Sequence, residues 1–180
     1  MLLDAIHLAR AGAPMTDEAL LTLFSTSKTV AVVGLSADAH RPSYFAARYL
    51  QTRGYRIVPV NPRYRTVLDE VCHPSLDALP ADLAAQIDIV DVFRRTEDVM
   101  PIARQAVAMG AKALWQQLGV VNEEADALAR SHGLASVMDR CVKIEYARLF
   151  GGLGWAGVNT GVISARRSGL AAAYARGPLH

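Results

Sequence analysis

Gly34, Ser36, Arg41 and Ser43 gather in the run Thr29-Val-Ala-Val-Val-Gly34-Leu35-Ser36 and the Arg41-Pro42-Ser43 that follows it. A glycine in a turn, two hydroxyls and a guanidinium just ahead of a helix start are the parts of an anion site. The first amides of a helix lack partners and carry the positive end of its dipole, so a phosphate is stabilised there. Serine is also favoured in turns and caps that hold no ligand. What sets this stretch apart is the company of Gly34 and Arg41, and a nucleotide-like ligand is the first expectation.

Further residues narrow the ligand. A Gly-x-Gly-x-x-Gly fingerprint is absent, because only Gly34 of it occurs, and Asn61 stands where an acidic residue would meet an unphosphorylated ribose. That disfavours NAD. Arg63 and Arg65 lie where a phosphorylated ribose could be met, which suits either NADP or coenzyme A. No Walker pattern is present, so nucleoside triphosphate hydrolysis has no machinery here. Cys72-His73 has no further clustered ligands and is weak ground for a metal site.

The elements that must position these residues read as a strand–helix alternation. Short apolar runs recur at 30–33, 57–60, 87–92, 112–115 and 135–138, with helix-period stretches between most of them that end at Gly54, Gly110 and Gly133. Another helix is expected from Thr16 to Phe24. Runs apolar throughout suit parallel strands covered on both faces, so the fold class is α/β, a doubly wound parallel sheet of Rossmann-like form in a single domain. Pro59 cannot donate to a ladder and should sit at the end of the second strand or turn its nitrogen to a side without an acceptor. The segment from Pro62 to Pro80 reads as a surface excursion.

In such a sheet ligands bind beyond the carboxyl ends of the strands. The residues there are Gly34, Leu35 and Ser36, then Asn61, Pro62 and Arg63, then Phe93 and Arg94, then Gln117 and Gly119, and finally Asp139, Arg140 and Cys141. Arg94 could instead pair with Asp91, and neither role excludes the other. Trp115 is read as core or pocket wall. Cys141 is either an inert thiol or, if it faces the pocket, a thiol whose pKa the neighbouring Arg140 would lower. In the second case a mixed disulfide with the thiol of coenzyme A is expected under oxidising conditions.

Val33-Gly-Leu-Ser36 with Arg41-Pro-Ser43, Val60-Asn-Pro62, Asp91-Val-Phe-Arg94, Trp115-Gln-Gln-Leu-Gly119 and Met138-Asp-Arg-Cys141 together resemble the small bacterial and archaeal CoA-binding-domain proteins. Those are similar to the N-terminal domain of the succinyl-CoA synthetase alpha subunit. The resemblance spans Met15 to Cys141 in order. It implies a Rossmann-like domain that binds coenzyme A, with Gly34, Ser36, Arg41 and Ser43 at the pyrophosphate and Asn61, Pro62 and Arg63 at the adenosine 3′-phosphate end. Phe93, Arg94, Gln117 and Gly119 would line the pantetheine side. A departure occurs at Leu68-Asp69-Glu70, where similar proteins carry a glycine after the leucine. The synthetase domain that supplies a phosphorylated histidine has no counterpart in the chain.

The domain expectation is an extension over 1–14, a CoA-binding domain over 15–141 and a glycine-rich tail over 142–180, the last docking on the domain or on a partner, with its final dozen residues loose. Whether Met1 or Met15 is the start is left open. A net charge of +2, with sixteen of nineteen basic residues arginines scattered along the chain, makes no nucleic-acid footprint. No apolar run approaches the ~20 residues of a membrane span. Asp4, His7 and Arg10 interrupt what would be a leader, and two cysteines make no disulfide framework, so a cytoplasmic protein is expected. The leading function is binding coenzyme A or an acyl-CoA without catalysis, as carrier, sensor or redox-linked partner. The alternative is an NADP-dependent oxidoreductase or an enzyme acting on acyl-CoA, for which Asp139 and Cys141 are the candidate base or nucleophile.

Overall fold

The computed structural model describes residues 14–151. The expectations for the N-terminal extension before residue 14, and for the glycine-rich stretch and loose end beyond Gly151, lie outside them. Thr16 caps the first helix, α1 (Asp17–Thr26), by accepting from the Ala19 amide, and leads to strand β1 (Thr29–Val33). Pro42 opens α2 (Pro42–Thr52), where its missing amide costs nothing, and β2 (Arg56–Val60) follows. The expected surface excursion holds a small antiparallel hairpin, β3 (Thr66–Val67) with β4 (Glu70–Val71), and the short helix α3 (Ala81–Ala84). The rest of the domain is β5 (Ile89–Val92), α4 (Val99–Ala108), β6 (Ala113–Gln116), α5 (Glu123–Ser131), β7 (Ala135–Val137) and α6 (Val142–Phe150).

The five long strands form one parallel sheet in the order β2-β1-β5-β6-β7. Side chains alternate across it into two cores, as parallel strands buried on both faces require. One core joins Val30, Val32, Ile89, Trp115 and Val137 to α1, α2 and α6; the other joins Ala31, Val33, Val90, Val92 and Leu114 to α4 and α5. The fold is the doubly wound α/β arrangement read from the sequence.

Pro59 sits inside the edge strand β2, opposite Val32. The Arg56 amide donates to the Lys28 carbonyl on the β1 side, so the Pro59 nitrogen, an odd number of residues on, turns to the outer edge. There its carbonyl accepts from the His73 amide, and the residues after β4 cover the strand edge.

The hairpin explains the missing glycine. Val67 pairs with Glu70, so Leu68 and Asp69 are the two central turn residues, with φ of 57° and 64°. A two-residue loop with both centres left-handed prefers glycine at the second. Here Leu68 buries its side chain in the core, and the Gln51 side-chain amide donates to its carbonyl at 3.2 Å, which holds the turn without one.

The segment 142–150, read as part of a tail, is the helix α6. Its Tyr146 and Phe150 pack on Phe24 of α1, with ring centroids 5.3 and 6.3 Å away. Arg148 binds both carboxylate oxygens of Asp17, at 2.8 and 2.6 Å, and ties the two helices at their surface.

Candidate functional site

β1 is followed in sequence by β2 on one side of it and bordered by β5 on the other, so the chain reverses direction across the sheet at β1 and β5. The loops leaving their carboxyl ends part there and open a crevice. Gly34 is where they meet. Its φ is +90°, and a Cβ on it would fall 2.2 Å from the Phe93 carbonyl oxygen and 3.3 Å from Arg94 Nε. A larger residue would have to push the two loops apart.

The β1–α2 loop is braced from within. The Ser36 amide donates to Ser43 Oγ at 3.1 Å, and Ser36 Oγ accepts from the Asp38 amide at 3.1 Å. Ser43 is 5% exposed, so both serine side chains, expected at a phosphate, are engaged in shaping the turn. Leu35 is wholly buried and presents only its backbone. Asn61 stitches this loop to the one after β2: its Nδ2 donates to the Leu35 carbonyl at 2.9 Å and its Oδ1 accepts from the Arg63 amide at 3.1 Å. Arg41 and Arg63 are exposed. Arg41 has only a long contact with Asp38, 3.8 Å, and an exposed pair of this kind contributes about 1 kcal/mol at most.

Pro42, Phe93, Arg94, Gln117 and Cys141 come together around a cleft of about 620 Å³, within the range of small-molecule sites. Arg95, Asp98, Leu118 and Val120 complete its wall and were not singled out in the sequence. A second cleft of about 280 Å³ lies over the other sheet face, between Val60, Pro62, Ser75 and Ile102, and Arg94 and Asp98 border both. Gly119 lines neither. Its amide donates to Asp139 Oδ1 at 2.8 Å, which joins the loops after β6 and β7.

Beneath the larger cleft lies a buried carboxylate. Asp91, in β5, is 0% exposed; its Oδ1 accepts from Gln117 Nε2 at 2.6 Å and its Oδ2 has no partner. Burial pushes its pKa up to about 7, and the Gln117 bond pulls back only partly. Asp91 therefore pairs with Gln117, where the sequence offered Arg94. The signal for it was an aspartate within Ile89-Val-Asp-Val92, a strand whose neighbours make it buried on both faces.

Cys141 faces the cleft, but Arg140 does not activate it. The Arg140 guanidinium turns to Glu145 at 3.7 Å, and the thiol's pKa is raised, not lowered, chiefly by burial. The expectation of an arginine-favoured thiolate is thus corrected. Trp115 is core, with its indole N–H donating to the Arg140 carbonyl at 2.6 Å.

Comparison with known proteins fits this architecture. Residues 28–147 match the family described as CoA binding domain. The uncharacterized protein YneT of Bacillus subtilis (strain 168) is 36% identical over 125 residues, 69% of this chain and 90% of that protein. A hypothetical protein from Pyrococcus horikoshii OT3 is 36% identical with a TM-score of 0.71, covering 79% of this chain and 97% of its own. The structure of cell-free ID.343 from Thermus thermophilus is 35% identical with a TM-score of 0.69, covering 76% of this chain and 100% of its own. With every loop at the carboxyl edge of the sheet inside the matched residues, the chain belongs to the CoA-binding domain family.

Proposed function

We propose that this protein binds coenzyme A or an acyl-CoA in the cytoplasm, as a carrier, sensor or redox-linked partner with no catalysis of its own. The observation that carries the reading is the crevice at Gly34, where two loops in van der Waals contact give onto a cleft lined by Pro42, Phe93, Arg94, Gln117 and Cys141. On this reading the backbone around Gly34 and Ser36 and the α2 N-terminus hold the pyrophosphate, with Arg41 leaving its weak contact to Asp38. Exposed Arg63, beside Asn61 and Pro62, meets the 3′-phosphate. The pantetheine arm lies along Phe93, Arg94 and Gln117. The two thiols, Cys72 and Cys141, are free, which suits a reducing compartment.

Calorimetry with coenzyme A, dephospho-CoA and NADP at one moderate salt concentration tests this. Coenzyme A should bind, and removal of its 3′-phosphate should weaken it about tenfold or more, the size of one charge-assisted arginine contact. Binding of NADP alone would replace this reading with the oxidoreductase one. Binding of none of the three would leave a scaffold for protein contacts.

A further inference from the structure

Cys141 stands at the N-cap of α6 and opens onto the larger cleft, half-buried. The amides of Lys143 and Ile144 pull its pKa down, but burial outweighs them and the thiol is raised overall, and no side-chain capping hydrogen bond closes. An independent feature marks the same spot. Asp91, below the cleft floor, leaves Oδ2 unpaired in full burial, its other oxygen is held by Gln117 of the cleft wall, and its charge acts on the Cys141 sulfur. The other charged groups about this cleft are Lys143 on α6 and Arg94, Arg95 and Asp98 of its wall. Cys72 shares the burial-raised pKa but not the setting: it is buried, its thiol donates to the Asn61 carbonyl at 3.4 Å, and it lines neither cleft.

We propose that Cys141 is a thiol–disulfide exchange site for disulfides of coenzyme A, with Asp91 beneath it restraining its reactivity. The inference rests on the proposed binding of the pantetheine arm in this cleft. The Cys141 thiol gives its proton to solvent, and the thiolate attacks one sulfur of a CoA disulfide. The Sγ–S bond forms as the ligand's S–S bond breaks, and one CoA leaves as a thiolate that takes a proton from water. The Cys141 sulfur is oxidised and the departing sulfur reduced, so the disulfide itself is the oxidant. Negative charge passes only between sulfurs, which is what amides facing Sγ can stabilise. Burial is what chiefly keeps the resting site in the thiol form, and ionised Asp91 adds to it by opposing the thiolate.

The test incubates the full chain with CoA disulfide, and in parallel with glutathione disulfide, and follows intact mass and peptide maps. One CoA less two hydrogens should appear on Cys141, at least about tenfold faster than the glutathione adduct because binding brings the reacting sulfurs together. It should be absent from both Cys141→Ser and Cys141→Ala. Asp91→Asn should speed the reaction several-fold near neutral pH. Iodoacetamide labelling against pH in wild type and Asp91→Asn gives a second reading, with labelling of the variant beginning at lower pH. No adduct, an adduct on Cys72 alone, or equal rates with the two disulfides overturns the site. An unchanged or slower Asp91→Asn overturns the role of Asp91. Calorimetry with reduced CoA on Cys141→Ser separates the two proposals: binding without an adduct in wild type sinks the exchange alone, whereas absence of binding sinks both.

Discussion

Replacing Asp91 by asparagine should make this protein more stable above neutral pH, against the general rule that core substitutions destabilise. The carboxyl group is wholly buried, one oxygen bonded to Gln117 Nε2 at 2.6 Å and the other unpaired. Burial raises its pKa from the ordinary 3.8 to about 7. The folded state therefore holds a proton that the unfolded chain releases throughout that interval. The contribution of the group is fully present below the unfolded value of 3.8 and is lost as pH rises to the folded value of about 7. A separation of about three units amounts to roughly 4 kcal/mol at about 1.4 kcal/mol per unit. Asparagine keeps the acceptor for Gln117 and places an uncharged amide where the unpaired oxygen lies. That amide costs about 1–3 kcal/mol if unmet, much as the protonated acid does. Denaturant unfolding of both proteins at pH 5 and pH 8 should show the variant gaining on wild type by roughly 2–3 kcal/mol between the two, since about one of the three units is already lost at pH 5. A variant less stable by the same amount at both would refute the reasoning, for it would mean that the ionised carboxylate has a stabilising partner.

Gly34→Ala places a methyl 2.2 Å from the Phe93 carbonyl at a φ of +90°; it should cost at least about 2 kcal/mol and abolish calorimetric binding of coenzyme A. Asp69→Gly puts the residue suited to a φ of 64° into the β3–β4 turn, and should raise stability by about 0.5–1 kcal/mol, seen as a Tm about 1–4 °C higher. Arg148→Met breaks the bidentate contact to Asp17, whose pKa the Arg148 hydrogen bond lowers, and takes the nearer partner from buried Glu145, so it should cost about 2–4 kcal/mol in denaturant at pH 7. Because that carboxylate's contribution is present above its ordinary 3.8 and lost as pH falls through its lower folded value, the gap between Arg148→Met and wild type should narrow in acid.

The sheet was legible because its strands are buried on both faces, which writes unbroken apolar runs such as Val30–Val33, and because glycines end the helices between them. Knowing the strand ends placed the loops, so Phe93, Arg94, Gln117 and Cys141 could be assigned to one edge before any coordinates, and the cleft lies among them. The helix α6 was not legible, since Glu145 interrupts its apolar face between Val142 and Leu149. The structure keeps that carboxylate inside by giving it Arg148 at 2.8 Å and Arg140 at 3.7 Å, partners no periodicity reveals. The same pairing diverted Arg140 from Cys141. The wall residues Leu118 and Val120 escaped notice because an apolar side chain in a loop looks the same whether it faces a core or a ligand.

Asp91 is the residue whose place in the sequence was plain and whose meaning was not. An unpaired buried carboxylate costs several kcal/mol, and a strand position flanked by Val90 and Val92 would accept an apolar side chain at no such cost. Its hydrogen bond to Gln117 does not offset that cost, because Gln117 could equally be held by a neutral acceptor. The group lies in β5, one of the two strands at which the strand order reverses, and is bonded to Gln117 of the cleft wall. Stability alone gives no reason for a charge there, and the proposed site supplies one, since the charge would add to burial in keeping the Cys141 thiol protonated. Removing the charge should separate the two quantities, raising stability at pH 8 while releasing the reactivity of Cys141, and a variant that gained stability without gaining reactivity would leave Asp91 a burden with no tie to the thiol.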